Sequence, residues 1–145
     1  MTERTLQNTV SMSLILAHSL TVILVFVLYL VGGLTSPELT TSLSIILPML
    51  GALTGLAVGY VIKVKKKRTM AAASEELSGV YVFTAFFLPA LFILMIVALI
   101  LMKAFNRGLA SFDQFKTALA GVETIFGAYT GKVLSSLFEK THGAK

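Results

Sequence analysis

The sequence predicts an all-α integral membrane protein: four transmembrane helices, the fourth marginally polar, in a helical bundle assembled as a homo-oligomer. Three observations predict it. The chain has 145 residues, of which 56% are hydrophobic and only 13% charged, and its mean hydropathy is +0.87. A soluble domain carries about 25% charged residues, so this chain lacks the polar surface that water requires. Next, the apolar residues fall in long runs, each near the ~20 residues needed to cross ~30 Å of hydrocarbon. Finally, five of the twelve cationic residues sit together beside one of those runs. That is where a topology signal belongs.

Composition also excludes several classes. The chain has no cysteine, so disulfides, thiolate metal sites and cysteine nucleophiles are out. Two histidines, His18 and His142, are too few for a histidine-rich metal centre. The net charge of +5 is concentrated next to a span, which favours lipid headgroups over nucleic acid. No cofactor, no enzyme and no nucleic-acid partner is expected. The chain reads as a single membrane domain, residues 1–145.

The first span is expected over residues 10–34. It is longer than the apolar core of a signal peptide and lacks a clean cleavage site, so it reads as a retained anchor. A turn-rich loop with Pro37 and no Lys or Arg follows. The second span is placed at 43–62, with Pro48 near its outer end. It ends in Lys63, Lys65, Lys66, Lys67 and Arg68, which open a basic loop over 63–79 that meets the membrane surface. Short basic loops stay cytoplasmic. Both termini are therefore expected in the cytoplasm, in a prokaryotic-type inner or plasma membrane. Ser74, Glu75 and Glu76 suit the start of the third helix, because carboxylates favour the positive end of a helix dipole. The third span, 80–102, is the most apolar and contains Pro89.

The fourth segment, 117–138, carries Glu123 and Lys132 in its interior. Each central charge costs about 2.5–3.5 kcal/mol on insertion scales. The helix therefore either crosses while shielded by protein or water, or lies at the interface, and crossing is the expectation. Lys132 follows Glu123 by nine residues, about half a turn out of phase, so it snorkels rather than pairing with Glu123 on the same helix.

Small residues form two grooves, Gly51, Gly55 and Gly59 in the second span and Gly127, Gly131 and Ser135 in the fourth. Such spacing lets helix backbones approach closely in lipid. The fourth segment also shows a heptad-like seam of Thr117, Gly121, Thr124, Ala128, Gly131 and Ser135. Residues 127–133 resemble a phosphate-binding loop only superficially. That loop needs four residues between its glycines and Ser or Thr after Lys, whereas here there are three, and Val133 follows Lys132. A weak internal repeat pairs Leu16–Leu20 with Phe87–Leu91, as two hairpins that start from the same side.

Intramembrane ionisable groups usually face an interior, a partner or a water-filled path. Glu123 is thus the leading site candidate, with Lys116, Gly127 and Thr130 on the same stripe. Around a ring of subunits these residues would line a pore, with Glu123 forming a carboxylate ring that favours cations. His18 is expected to bond a neighbouring helix. Tyr29, Tyr60 and Tyr81 fit an interfacial belt, and the hydroxyl of Tyr129 requires a partner. The expected function is a homo-oligomeric ion-conducting or membrane-permeabilising pore. Its expected partners are the bilayer, further copies of itself and a membrane or cytoplasmic regulatory protein. The alternatives are an accessory subunit of a larger membrane complex and a small proton-coupled transporter using Glu123.

Overall fold

A computed structural model describes residues 3–66, 79–109 and 111–139. They form four helices and no strand: α1 (Glu3–Leu30), α2 (Ser36–Lys66), α3 (Gly79–Ala104) and α4 (Phe112–Glu139). The fold is all-α, as the apolar runs predict. Three helices contain stretches long and apolar enough to cross a membrane: Asn8–Leu30, Ser36–Gly55 and Ala85–Ala104. The fourth does not, and this corrects the expectation of four such spans. Glu123 and Lys132 dilute its hydropathy, as do Gly121, Thr124, Gly127, Thr130 and Gly131.

Local chemistry explains where the helices begin and end. At the end of α1, Gly32 adopts φ 78° and Gly33 N–H donates to the Leu28 carbonyl at 2.8 Å. This left-handed cap satisfies a carbonyl that the helix leaves open. α3 ends the same way with Asn106 at φ 51°, where Arg107 N–H donates to the Met102 carbonyl at 2.8 Å. Asn is among the few non-glycine residues that tolerate this conformation.

α2 starts at Ser36, seven residues before the expected 43 (43 − 36). Thr35 and Glu38 form half of a capping box, with Thr35 N–H donating to Glu38 Oε2 at 2.8 Å. Pro37 fits the first turn because no helical partner awaits its missing N–H. The loop reading of Pro37 therefore gives way to a helix start. α4 likewise begins at Phe112, where Ser111 Oγ accepts from Gln114 N–H at 3.2 Å. At its far end α2 continues through Lys66, so Lys63, Lys65 and Lys66 belong to the helix rather than to a loop. Lys67, Arg68, Ser74, Glu75, Glu76 and His142 lie outside the described residues, as do the side chains of Tyr60, Tyr81 and Ser135 and the surroundings of Gly59.

The helices pack as two hairpins, α1–α2 and α3–α4. α1 also packs on α3 and α2 on α4, and α1 meets α4 across the diagonal. Around the bundle the order is α1, α2, α4, α3. Both connecting turns lie at one end: a Cβ on Gly33 would stand 3.3 Å from the Ala104 Cβ. The hairpins thus lie side by side and point the same way. Their second helices share a sequence register. Gly51-Ala-Leu-Thr-Gly55 recurs as Gly127-Ala-Tyr-Thr-Gly131, 76 residues on (127 − 51), and the starts of α2 and α4 are also 76 apart (112 − 36). The Leu16–Leu20 and Phe87–Leu91 pairing is 71 apart (87 − 16) and falls outside that register.

The core follows helical spacing. Leu6, Val10, Leu14, His18, Thr21, Val25 and Leu28 of α1 are buried, as are Phe115, Leu119, Glu123, Phe126 and Thr130 of α4. The exterior is inverted relative to a soluble bundle. Met12, Leu16, Leu20 and Ile23 of α1 and Phe83, Phe87 and Leu94 of α3 are exposed. Such an apolar surface far exceeds what a water-facing monomer presents. Together with the three long apolar helices, it suits a protein embedded in a membrane.

Candidate functional site

α4 carries two faces with different chemistry, and both bear on function. The inner face puts Glu123 in the bundle interior, 7% exposed, opposite His18 of α1, 1% exposed. His18 Nε2 and Glu123 Oε1 are 3.9 Å apart. Glu123 lies 11 residues into α4 and His18 lies 12 residues before the end of α1. At 1.5 Å per residue, both sit about 16–18 Å from the loop end, near the middle of the bundle.

The aromatic surround of this pair is tight. The His18 ring stacks on Phe126 at 5.3 Å with an interplanar angle of 8°, and Phe92 of α3 lies 5.4 Å from Phe126. His18 Nδ1 is 3.1 Å from the Leu14 carbonyl. By contrast His18 Nε2 and both carboxylate oxygens of Glu123 are buried with no hydrogen-bond partner. Ser42 Oγ is also unpartnered, but it lies six residues into α2, nearer the loop end. The remaining buried hydroxyls are satisfied locally: Thr21 Oγ1 donates to the Ala17 carbonyl at 2.9 Å and Thr130 Oγ1 to the Phe126 carbonyl at 2.8 Å.

The outer face holds the small-residue seam. Thr117, Gly121, Thr124, Ala128 and Gly131 are all exposed, and a Cβ on Gly121 or Gly131 would meet nothing within 4 Å. The seam therefore points away from the chain's own core. Gly51 and Gly55 of α2 are open in the same sense. Within the chain, only Gly127 among the groove glycines of α4 touches a neighbour, with Met49 Sδ 3.8 Å from its Cβ position.

The four residues expected on one pore-lining stripe consequently separate. Lys116 is exposed and Gly127 half-buried, while Glu123 and Thr130 are inside the bundle. His18 does face a neighbouring helix, but its ring hydrogen bond is to the Leu14 carbonyl of its own. The Tyr129 ring lies against Phe92 at 6.2 Å.

Sequence reasoning missed a second polar contact. Lys103 Nζ and Glu38 Oε1 are 3.0 Å apart with both side chains largely buried. The pair bridges α3 to α2, helices whose described backbones do not pack on one another. The capping pattern Thr35-x-x-Glu38 was the signal available for Glu38; none existed for its partner. Among the described residues no group of three His, Cys, Asp or Glu gathers as a metal site. A groove of ≈ 380 Å³ between α1 and α3, lined by Leu14, Ala17, Phe86, Pro89 and Ile93, is almost wholly apolar. No family model, curated protein or solved structure matches the chain.

Proposed function

We propose that this protein self-associates in the membrane through the outer face of α4 and conducts ions along the path those faces enclose. The observation that carries the reading is the exposed seam of Thr117, Gly121, Thr124, Ala128 and Gly131. α1 and α3 turn large apolar side chains outward, as lipid contact requires. Beside the exposed Ile125, α4 also turns outward a strip of hydrogens, methyls and hydroxyls, which suits close backbone approach between helices. A closed ring of copies would bury that strip on every subunit. α4 then crosses the bilayer shielded on both sides, with Glu123 and Thr130 inside the bundle and the seam inside the ring. Lys116 sits near the loop end of this path. The start of α1 and the end of α4 then face the cytoplasm with the basic end of α2, in a prokaryotic-type inner or plasma membrane.

The test uses the full chain purified in mild detergent, with native mass and planar-bilayer recording on the same fraction. The expected result is a defined homo-oligomer with discrete currents. Gly121→Leu with Gly131→Leu should dissociate it into folded, silent monomers. A wild-type chain that is monomeric and silent overturns the reading.

A second reading is favoured by the inward direction of Glu123. If the polar path runs through each bundle, the protein is a small proton-coupled transporter. Flux would then require a proton gradient and would survive disruption of the α4 seam.

A further inference from the structure

The mid-bundle pair of His18 and Glu123 poses a hydrogen-bonding problem with one economical solution. A carbonyl oxygen only accepts, so the 3.1 Å contact with the Leu14 carbonyl requires the hydrogen on His18 Nδ1. In a neutral imidazole the other nitrogen is then an acceptor. His18 Nε2 accordingly presents a lone pair to the Glu123 carboxylate, whose oxygens are acceptors too. Three buried acceptor atoms, with no donor among their partners, face one another across 3.9 Å. One added proton resolves this. It converts the site either to a carboxylic acid donating to Nε2 or to an imidazolium donating to the carboxylate. Either form is neutral overall, whereas zero or two protons leave a net charge in the apolar centre of the bundle.

We propose that His18 and Glu123 form a proton-binding site, in which one shared proton links α1 to α4 across the bundle diagonal. The site lies wholly within one chain and stands apart from the self-association of α4. Among the described residues, none donates a hydrogen bond to His18 Nε2 or to either Glu123 oxygen. Among the described side chains, α2 and α3 contribute only Glu38 and Lys103, which engage each other at the loop end. α1 adds Tyr29, beside Ser36 at that same end. On α4, Asp113, Lys116 and Lys132 are exposed, and the Tyr129 ring sits against Phe92. Phe126 and Phe92 close the site with carbon. The proton therefore acts as a latch. With it, closing the 3.9 Å gap to about 2.8 Å makes the diagonal contact an attractive hydrogen bond; without it, acceptors oppose each other and the contact loosens.

The experiment is nuclear magnetic resonance of the full chain in lipid nanodiscs, with labelled histidine and glutamate. The chain has only two histidines, so His142 serves as internal reference and His18→Gln assigns the signals. The expected wild-type result is one acidic proton correlated with both His18 Nε2 and Glu123 Cδ. It should persist across about pH 5–8, where an unperturbed imidazole changes charge. Glu123→Gln supplies an amide N–H in place of the shared proton, so it should shift the His18 Nε2 signal and leave His142 unmoved. A wild-type spectrum with no proton common to the two groups, across the full pH range of the folded protein, overturns the site without recourse to any variant. So does a His18 signal that Glu123→Gln leaves in place.

Discussion

Lys103→Met probes the contact between the two hairpins at the loop end of the bundle. Glu38 and Lys103 are 3.0 Å apart, with side chains only 11% and 12% exposed, so neither is fully solvated when the other is lost. A hydrogen bond to a charged group contributes about 1.5–3 kcal/mol, and Lys103→Met should cost that much. Glu38→Ala should cost about 1 kcal/mol more, because it also removes the cap on Thr35 N–H. The double variant should cost less than the sum, with a coupling of about 1.5–3 kcal/mol. Equilibrium unfolding in mixed micelles, followed by helical circular dichroism, measures all three. A coupling below about 0.5 kcal/mol would place the pair with ordinary surface ion pairs. It would refute the argument that Glu38 and Lys103 tie α2 to α3.

Other expectations follow from the same packing. Phe126→Ala removes the ring between His18 and Phe92 and should cost about 3–5 kcal/mol, read by the same unfolding curves. Gly32→Ala forces a side chain into φ 78° and should cost about 1 kcal/mol, whereas Gly121→Ala, with open space around it, should leave the monomer as stable or more so while weakening any oligomer seen by native mass. Since the chain lacks cysteine, single cysteines at Val31 and Arg107 can be labelled in sealed vesicles; both should react from one face, with Thr5→Cys reacting from the other. Val31 and Arg107 on opposite faces would contradict the parallel placement of the hairpins. The latch between α1 and α4 also has a stability signature. Wild-type protein should lose stability as rising pH removes the shared proton, and Glu123→Gln should flatten that part of the profile, as checked by thermal unfolding across pH.

Much of the architecture was legible in the residues. The lack of charge and the apolar runs identify helices suited to a membrane, because hydropathy acts locally and sums along the chain. The start of α2 was written in capping chemistry rather than in hydropathy. Thr35 and Glu38 announce α2, yet Pro37 drew the boundary to the wrong side of them. The site was half legible. Glu123 and His18 each stood out as ionisable groups in apolar surroundings, but they are 105 residues apart (123 − 18). Periodicity on one helix says nothing about a partner on another.

What the sequence alone determined is the all-helical class, the apolar exterior and the two unusual features of α4, its interior carboxylate and its small-residue seam. These follow from composition and from the 3.6-residue repeat, which are properties of single segments. Only the tertiary structure decided which face of α4 turns inward. The order α1, α2, α4, α3 brings α4 across the diagonal from α1, so Phe115, Leu119 and Phe126 are buried and Glu123 goes in with them. The seam on the other side is thereby left open. The physical reason is that a helix has one azimuth, set by the sum of its contacts, and the larger apolar face outweighs the placement of any single charge.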